Sequence, residues 1–558
     1  MMNRFKLIIL LILSIIADEC LCDSTKNDRT QENQINENKQ QSQTSTVDNK
    51  TEIANQIALG VLNLSQQLTA KVLSSSSNNF EVMSPISIGS ALQLVLLGAK
   101  GKTFDEIRNT MNYGNYTSKD INEEFAEIIK DLKLNSVNPK RKIAKWREQA
   151  SQQYIEHSLR RQDKNVNYTQ HKIEVANGIF VQSDISIRQE YKDVVERLYG
   201  SHIESLNFKN EPGKASQIIN AWVSENTHGR ISEIVPKVMN PNTKIVLANA
   251  LYFKAEWQQT FFEGATGMKP FYPHGRGGKS ITVDLMAQGG HFPHFRDAEL
   301  NVEILGFPYK QNCTTMYVIL PSESSTERLK EVQKELTAEK IENLIDQMTV
   351  KTAVILFPKM HLKSGYHLRS DLQDLGVKSL FEESESDLSL MSSENCAKMR
   401  EGCGHKITFR DPLSSFPRIK REVTYKVGSE AKDSAYPLNM KDFFNRKRIV
   451  KKSHGKKSKK TKREVKRMSA LDRLEYLRNQ QLTNPQVFAD DVIHKVDLNI
   501  NEKGTEGGAS TAVTLNRSGT NVVFRVDVPF MFLIRHDTTK IPLFYGVVFE
   551  PPAANDSK

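Results

Sequence analysis

Cysteine is scarce in this chain: five residues among 558. A disulfide-dense scaffold is excluded, so an apolar core must carry the fold. Long apolar runs are missing as well. The run Leu7–Ile16 follows Lys6 and gives way to small or polar residues from Ala17 to Asp23. It is too short for a comfortable membrane span. A basic start, a short apolar centre and a polar exit describe a secretory signal peptide, expected over residues 1–22 with cleavage near Cys22. A secreted, extracellular protein without a membrane span follows. Cleavage leaves Cys313, Cys396 and Cys403. The last two are close enough to bridge, and Cys313 is then odd, either buried or free.

Complete catalytic motifs are missing too. Gly275–Ser280 ends like a phosphate-binding loop, but the position of the required first glycine is Pro273. There is no Gly-x-Ser-x-Gly elbow. His291 with His294, and Cys396 and Cys403 with His405, suggest metal ligands without a full set at useful spacing. No enzyme, metal or cofactor is expected.

Charge is abundant and unevenly placed. Residues 23–50 are Gln, Asn, Lys, Ser and Thr with almost no apolar content, a composition that cannot bury a core. Residues 138–167 hold eight Lys or Arg against three acids. Within them Lys140, Arg141, Lys142, Lys145 and Arg147 could present charge along one exposed side. Residues 396–485 hold 25 Lys or Arg and nine acids, a net +16 in a chain of net +11, which leaves −5 for the rest. The densest part contains Lys451, Lys452, Lys456, Lys457, Lys459 and Lys460, a self-repelling run. A signal peptide argues against nuclear use, and no nucleic acid is expected. An anionic polysaccharide or membrane surface suits such long-range, salt-sensitive attraction better. Arg418-Ile419-Lys420-Arg421 and Lys460-Thr461-Lys462-Arg463 look like processing sites for secretory convertases. Sequons at Asn49, Asn63, Asn115, Asn167, Asn312, Asn516 and Asn555 suit a secreted glycoprotein.

Between these segments the chain reads as a folded body. Ile57, Val61, Leu64 and Leu68 recur at helical spacing. Phe80–Met83 reads as a strand ending at Pro85, with Ser87 placed to cap a helix from Ile88 to Leu97. Val175–Val181 reads as a buried strand and Ile219–Val223 as helix. Lys244–Phe253 is near-continuously apolar, as in a strand covered on both faces.

The stretch that organises the rest runs from Asn501 to Gly519. Gly504, Thr505, Gly507, Gly508, Ala509, Ser510, Thr511 and Ala512 are all small, and only Glu506 interrupts them. One reading is an exposed linker. Another comes from alternation: Thr505, Gly507, Ala509, Thr511, Val513 and Leu515 are uncharged throughout, a period-two pattern fit for a strand with one buried face. The segment could be a loop in one state and a strand in another.

Asn501–Glu506 followed by small residues resembles the reactive-loop hinge of the serpins, the serine protease inhibitor superfamily, and Pro529–Arg535 and Pro542–Gly546 resemble its C-terminal strands. The resemblance covers residues 51–395 and 486–551. It implies an α+β fold of three β-sheets and about eight or nine helices, with a reactive loop at 502–526. It also implies a monomer, interrupted by an insertion at 396–485 on the sheet end opposite the loop. By resemblance, Ser84, Ser87 and His494 would sit beneath the central sheet, and Trp257 and Lys359 at its top, with Lys359 paired to Glu502. The expected activity is trapping of a trypsin-like serine protease. Spacing from Thr505 to Pro529 puts the cut after Ser518, whereas residue chemistry favours Arg517–Ser518. The alternative is a non-inhibitory member binding a glycosaminoglycan or other ligand.

Overall fold

The structure, a computed structural model, describes residues 49–74, 78–134, 143–149, 172–310, 313–393, 468–505 and 522–552. In chain order these form α1 (49–74), β1 (Phe80–Met83), α2 (Pro85–Gly98), α3 (Gly101–Thr110), α4 (Ser118–Leu134) and α5 (145–149). There follow β2 (Lys172–Gln182), β3 (Ser186–Ile187), α6 (Gln189–Arg197), β4 (His202–Leu206), α7 (Pro212–Asn226) and β5 (Ile245–Glu256). Next come β6 (Gly267–Phe271), β7 (Ile281–Asp297), β8 (Val302–Pro308), β9 (Thr314–Pro321), α8 (Thr326–Glu335) and α9 (Ala338–Asp346). The remainder is β10 (Thr349–Pro358), β11 (Met360–His367), α10 (Arg369–Asp374), β12 (Ser392–Ser393), α11 (Ala470–Arg478), β13 (Asp491–Asn501), β14 (Gly504–Thr505), β15 (Val522–Arg525), β16 (Phe530–His536) and β17 (Ile541–Val548).

Three sheets result, of nine, six and two strands among the described residues. The six-stranded sheet runs β11-β13-β14-β5-β2-β4 and carries the site. Its β5 is buried at eleven of twelve positions, as its apolar run requires. Beneath it lies α2, buried along its whole length. Pro85 opens that helix at N1, where its missing N–H is no loss. The helix therefore starts earlier than a cap at Ser87 would have it, and Ser84 is the capping residue, without a side-chain capping bond.

Among the described residues eleven α-helices exceed the expected eight or nine, and the two basic segments supply α5 and α11. By contacts the chain divides into Cys396–Ser469 and a body made of the rest. The insert expected to end at 485 therefore returns to the body sooner. Leu471 and Leu474, 5% and 0% exposed, join the main core there. Arg147 also departs from expectation. It is buried, and its guanidinium donates to Asp537 Oδ2 (Nε, 2.6 Å) and Thr315 Oγ1 (Nη2, 2.5 Å) while lying against the Trp146 ring. Lys145 is exposed, whereas Lys140, Arg141 and Lys142 lie outside the described residues.

Candidate functional site

Parallel strands β13 and β5 pair through four rungs, Asp491–His494 against Val246–Asn249. Beyond the fourth rung they part. At the far end β14 occupies the gap, antiparallel to both, with Gly504 opposite Glu256 and Asn501, and Thr505 opposite Ala255 and Ile500. The central sheet is a fork, zipped at one end and already holding a third strand at the other.

The seating of β14 follows from its residues. Gly504 has φ +154°, and a Cβ there would meet Ala255 O at 2.1 Å, so only glycine lets the chain pass this close. Thr505 is fully buried, and its hydroxyl lies 2.8 Å from Tyr309 Oη. Tyr309 stacks on Trp257 with ring centroids 4.4 Å apart. Trp257 in turn holds the turn before β14: its Nε1 donates to Asn501 O at 2.9 Å, and its backbone N–H to Lys503 O at 3.0 Å. At that turn Lys359 Nζ lies 3.2 Å from Glu502, so the pair expected from resemblance is in contact. Thr266 Oγ1 donates to the same carboxylate at 2.8 Å. Partial burial pushes the Glu502 carboxyl up, but its own backbone N–H, Thr266 and Lys359 together hold it below the usual range.

At the zipped end Ser84, Ser87 and His494 are fully buried and meet. The backbone N–H of Ser84 donates to His494 Nε2 at 2.9 Å, so that nitrogen carries the lone pair. The ring proton is then on Nδ1, which donates to Asn249 Oδ1 at 2.9 Å. The two serine hydroxyls bond each other at 2.9 Å instead of capping α2. Burial drives the His494 pKa down to about 3, so the imidazole is neutral at any physiological pH. His494 and Asn249 are also the fourth rung, where the fork divides.

Within the expected loop 502–526, Gly504–Thr505 and Val522–Arg525 are strands, the latter parallel to β10. Glu506, Gly507, Gly508, Ala509, Ser510, Arg517 and Ser518 lie outside the described residues, as do Lys451, Lys452, Lys456, Lys457, Lys459 and Lys460. His291 and His294 do not meet as ligands: His291 is exposed near Thr352, while His294 faces Glu303. Among the described residues no three His, Cys, Asp or Glu side chains converge as a metal site. Sequence reasoning missed Tyr309, for which no pattern points, and Asn249, for which one did: it is the lone polar residue in the run Ile245–Phe253.

Comparison with known proteins places this fork. The family model for serpins, serine protease inhibitors, matches residues 60–408 and 415–551. The chain belongs to the serpin family. Serine protease inhibitor 28Dc of Drosophila melanogaster is 32% identical over 90% of this serpin and 80% of its own length. Human serpin B12 is 26% identical over 84% and 93%. Among solved structures, human thyroxine-binding globulin superposes with a TM-score of 0.61, at 19% identity, over 89% of this serpin and 99% of that chain. That likeness carries the fold alone. The forked sheet is thus a serpin's central sheet, and its two ends are the regions where the resemblance put Trp257 and Lys359 on one hand and Ser84, Ser87 and His494 on the other.

Proposed function

We propose that this serpin is a secreted suicide inhibitor of trypsin-like extracellular serine proteases. The supporting observation is the position of β14: the first two residues of the small-residue stretch already lie between β13 and β5, aligned with the path a longer strand would take. The protease serine attacks the Arg517 carbonyl, its histidine takes the hydroxyl proton, and the amine of Ser518 leaves with that proton. The acyl-enzyme now hangs on a free loop end. Residues 506–517 then extend β14 down the fork. Ten or more new ladder hydrogen bonds, each worth about 1 kcal/mol net, favour the extended state. Only four rungs stand in the way. Insertion must outrun hydrolysis of the ester, and small side chains from Gly507 to Ser510 offer little resistance. Sulfated polysaccharide is the partner proposed for the exposed Lys145 and the basic insert, acting in a monomer.

The test is incubation with trypsin, followed by a denaturing gel and mass spectrometry. We expect a detergent-stable complex and a released peptide beginning at Ser518. Release from Gly519 would move the bond to the position given by spacing. Clean cleavage without complex, repeated with chymotrypsin- and elastase-like enzymes, would put the non-inhibitory, ligand-binding reading first. Asn516, two residues from the cut, should be unglycosylated in active material, and full occupancy by glycopeptide analysis would count against inhibition.

A further inference from the structure

The zipped end of the fork rests on the N-terminus of α2, and the other end of that helix is held from an unexpected place. A buried helix leaves its last carbonyls without partners inside the helix. Gly98 O is satisfied by the N–H groups of Leu390 and Met391, at 3.1 and 3.2 Å. The last turn of α2 contains no basic residue to answer the negative end of its dipole. That charge arrives from α11, the helix at the end of the basic insert. Arg478 donates through Nη1 to Ala99 O at 2.6 Å and through Nη2 to Leu97 O at 3.1 Å. Its guanidinium lies 4.5 Å from the ring centroid of Phe104 on α3, and Nε is 3.2 Å from Glu475.

The rest of the seat is largely polar. Asp472 pairs with Lys119 at 2.7 Å, Glu475 accepts from Ser118 Oγ at 2.9 Å, and Lys100 Nζ reaches Gln480 O. Beneath these, Leu471 and Leu474 supply an apolar base. The polar rim fixes the register of α11, and its two leucines join the main core.

We propose that Arg478 is a positioning residue for loop insertion, acting through α2 on the fork, an inference that rests on the inhibitory reading for its consequence but not for its test. The path is short and continuous. Arg478 fixes the C-terminal carbonyls of α2, a helix of 14 residues and so about 21 Å long. Ser84 at the opposite end donates to His494, and His494 holds Asn249 at the last rung. Admitting a strand means separating β5 from β13 by about 4.8 Å more, which no arrangement of the His494–Asn249 bond survives. Whatever lets α2 shift along its axis loosens Ser84 and lowers the barrier to that separation. Helix α11 thereby braces the sheet through α2.

The experiment follows incorporation of a synthetic peptide of residues 505–518 into the uncleaved full chain, read by native gel shift and by fluorescence of Trp257 at the fork. With Arg478→Ala we expect incorporation about tenfold faster, the scale at which packed networks couple distant sites. Arg478→Lys, a point charge that satisfies one carbonyl instead of two, should fall between. Unchanged incorporation in both variants, with only a lower urea midpoint, would overturn the proposal and leave Arg478 a structural contact. Should Arg478→Ala fail to fold, Arg478→Lys decides alone, and a wild-type rate would overturn it. If wild-type protein traps no protease yet the peptide rates move as expected, it is the inhibitory reading that fails and the brace that stands.

Discussion

The two ends of the β5–β13 pair are built from opposite materials. At the open end the wedge is held by a glycine that approaches backbone at contact distance, one hydroxyl pair and a half-exposed ion pair. At the zipped end every participating side chain is fully buried and each hydrogen bond is made in an apolar setting. The open end mixes a buried hydroxyl pair with an ion pair that water reaches. Interactions at the closed end are strong because water is excluded, and they must break together. On the inhibitory reading proposed above, such a fork starts easily and advances only past a threshold.

The comparison is broken most severely at Gly504. A valine there would drive its side chain into Ala255 O and Glu256 Cα and would hold a β-branched residue at φ +154°. We expect a loss of about 3 kcal/mol or more in seating β14. In the trypsin assay the chain should be cut without forming a complex, because the inserted strand needs the same close approach. Undiminished complex formation by Gly504→Val would show that β14 is not the start of the inserting strand.

The closed end is probed by pH. His494 is neutral in the fold with a pKa near 3, while an unfolded histidine titrates near 6.5. Between those values the unfolded chain binds the extra proton, so stability contributed by the buried neutral ring is present above pH 6.5 and is lost as pH falls below it. From pH 7 to pH 5 the loss from this residue alone is about 2 kcal/mol. Urea midpoints for wild type and His494→Gln over that range should differ in slope, with the variant flatter. Equal slopes would mean that the ring is not held neutral and buried.

How much of this was readable beforehand varies with the range of the interactions concerned. The start of the small-residue stretch was legible because its signal is local: uncharged residues in period two begin at Thr505, which the structure places in β14. The pair Lys359–Glu502 could be named, and Ser84 and His494 put in one region, only through family resemblance, since nothing in their neighbourhoods announces a partner 143 or 410 residues away. Arg147 shows the limit of counting charge. It sits in a basic segment and looks solvated, yet its carboxylate partner is 390 residues downstream. The helix Ala470–Arg478 was missed for a different reason. Leu471, Leu474 and Leu477 form a helical stripe, but a 90-residue window of net +16 averages it away.

The smallest expected effect tests how the open end is held shut at rest. Replacing Thr505 with valine keeps the shape of the side chain and removes the hydroxyl that faces Tyr309 Oη. That removes one hydrogen bond from a buried phenol, which costs about 1 kcal/mol. Tyr309→Phe should cost a similar amount for the converse reason. The double variant replaces both polar groups by apolar ones of nearly the same shape, and an apolar pair in a dry site is close to neutral. We therefore expect the double variant to sit nearer wild type than either single one, measured by urea midpoint and by the rate at which the 505–518 peptide is taken up. Additive losses would mean that the hydroxyls do not depend on each other, and the hold on β14 would then rest on Gly504 and the Trp257 bonds to Asn501 and Lys503. Because Tyr309 stacks on Trp257, the same series should shift the fluorescence of that indole only in variants where β14 leaves its seat.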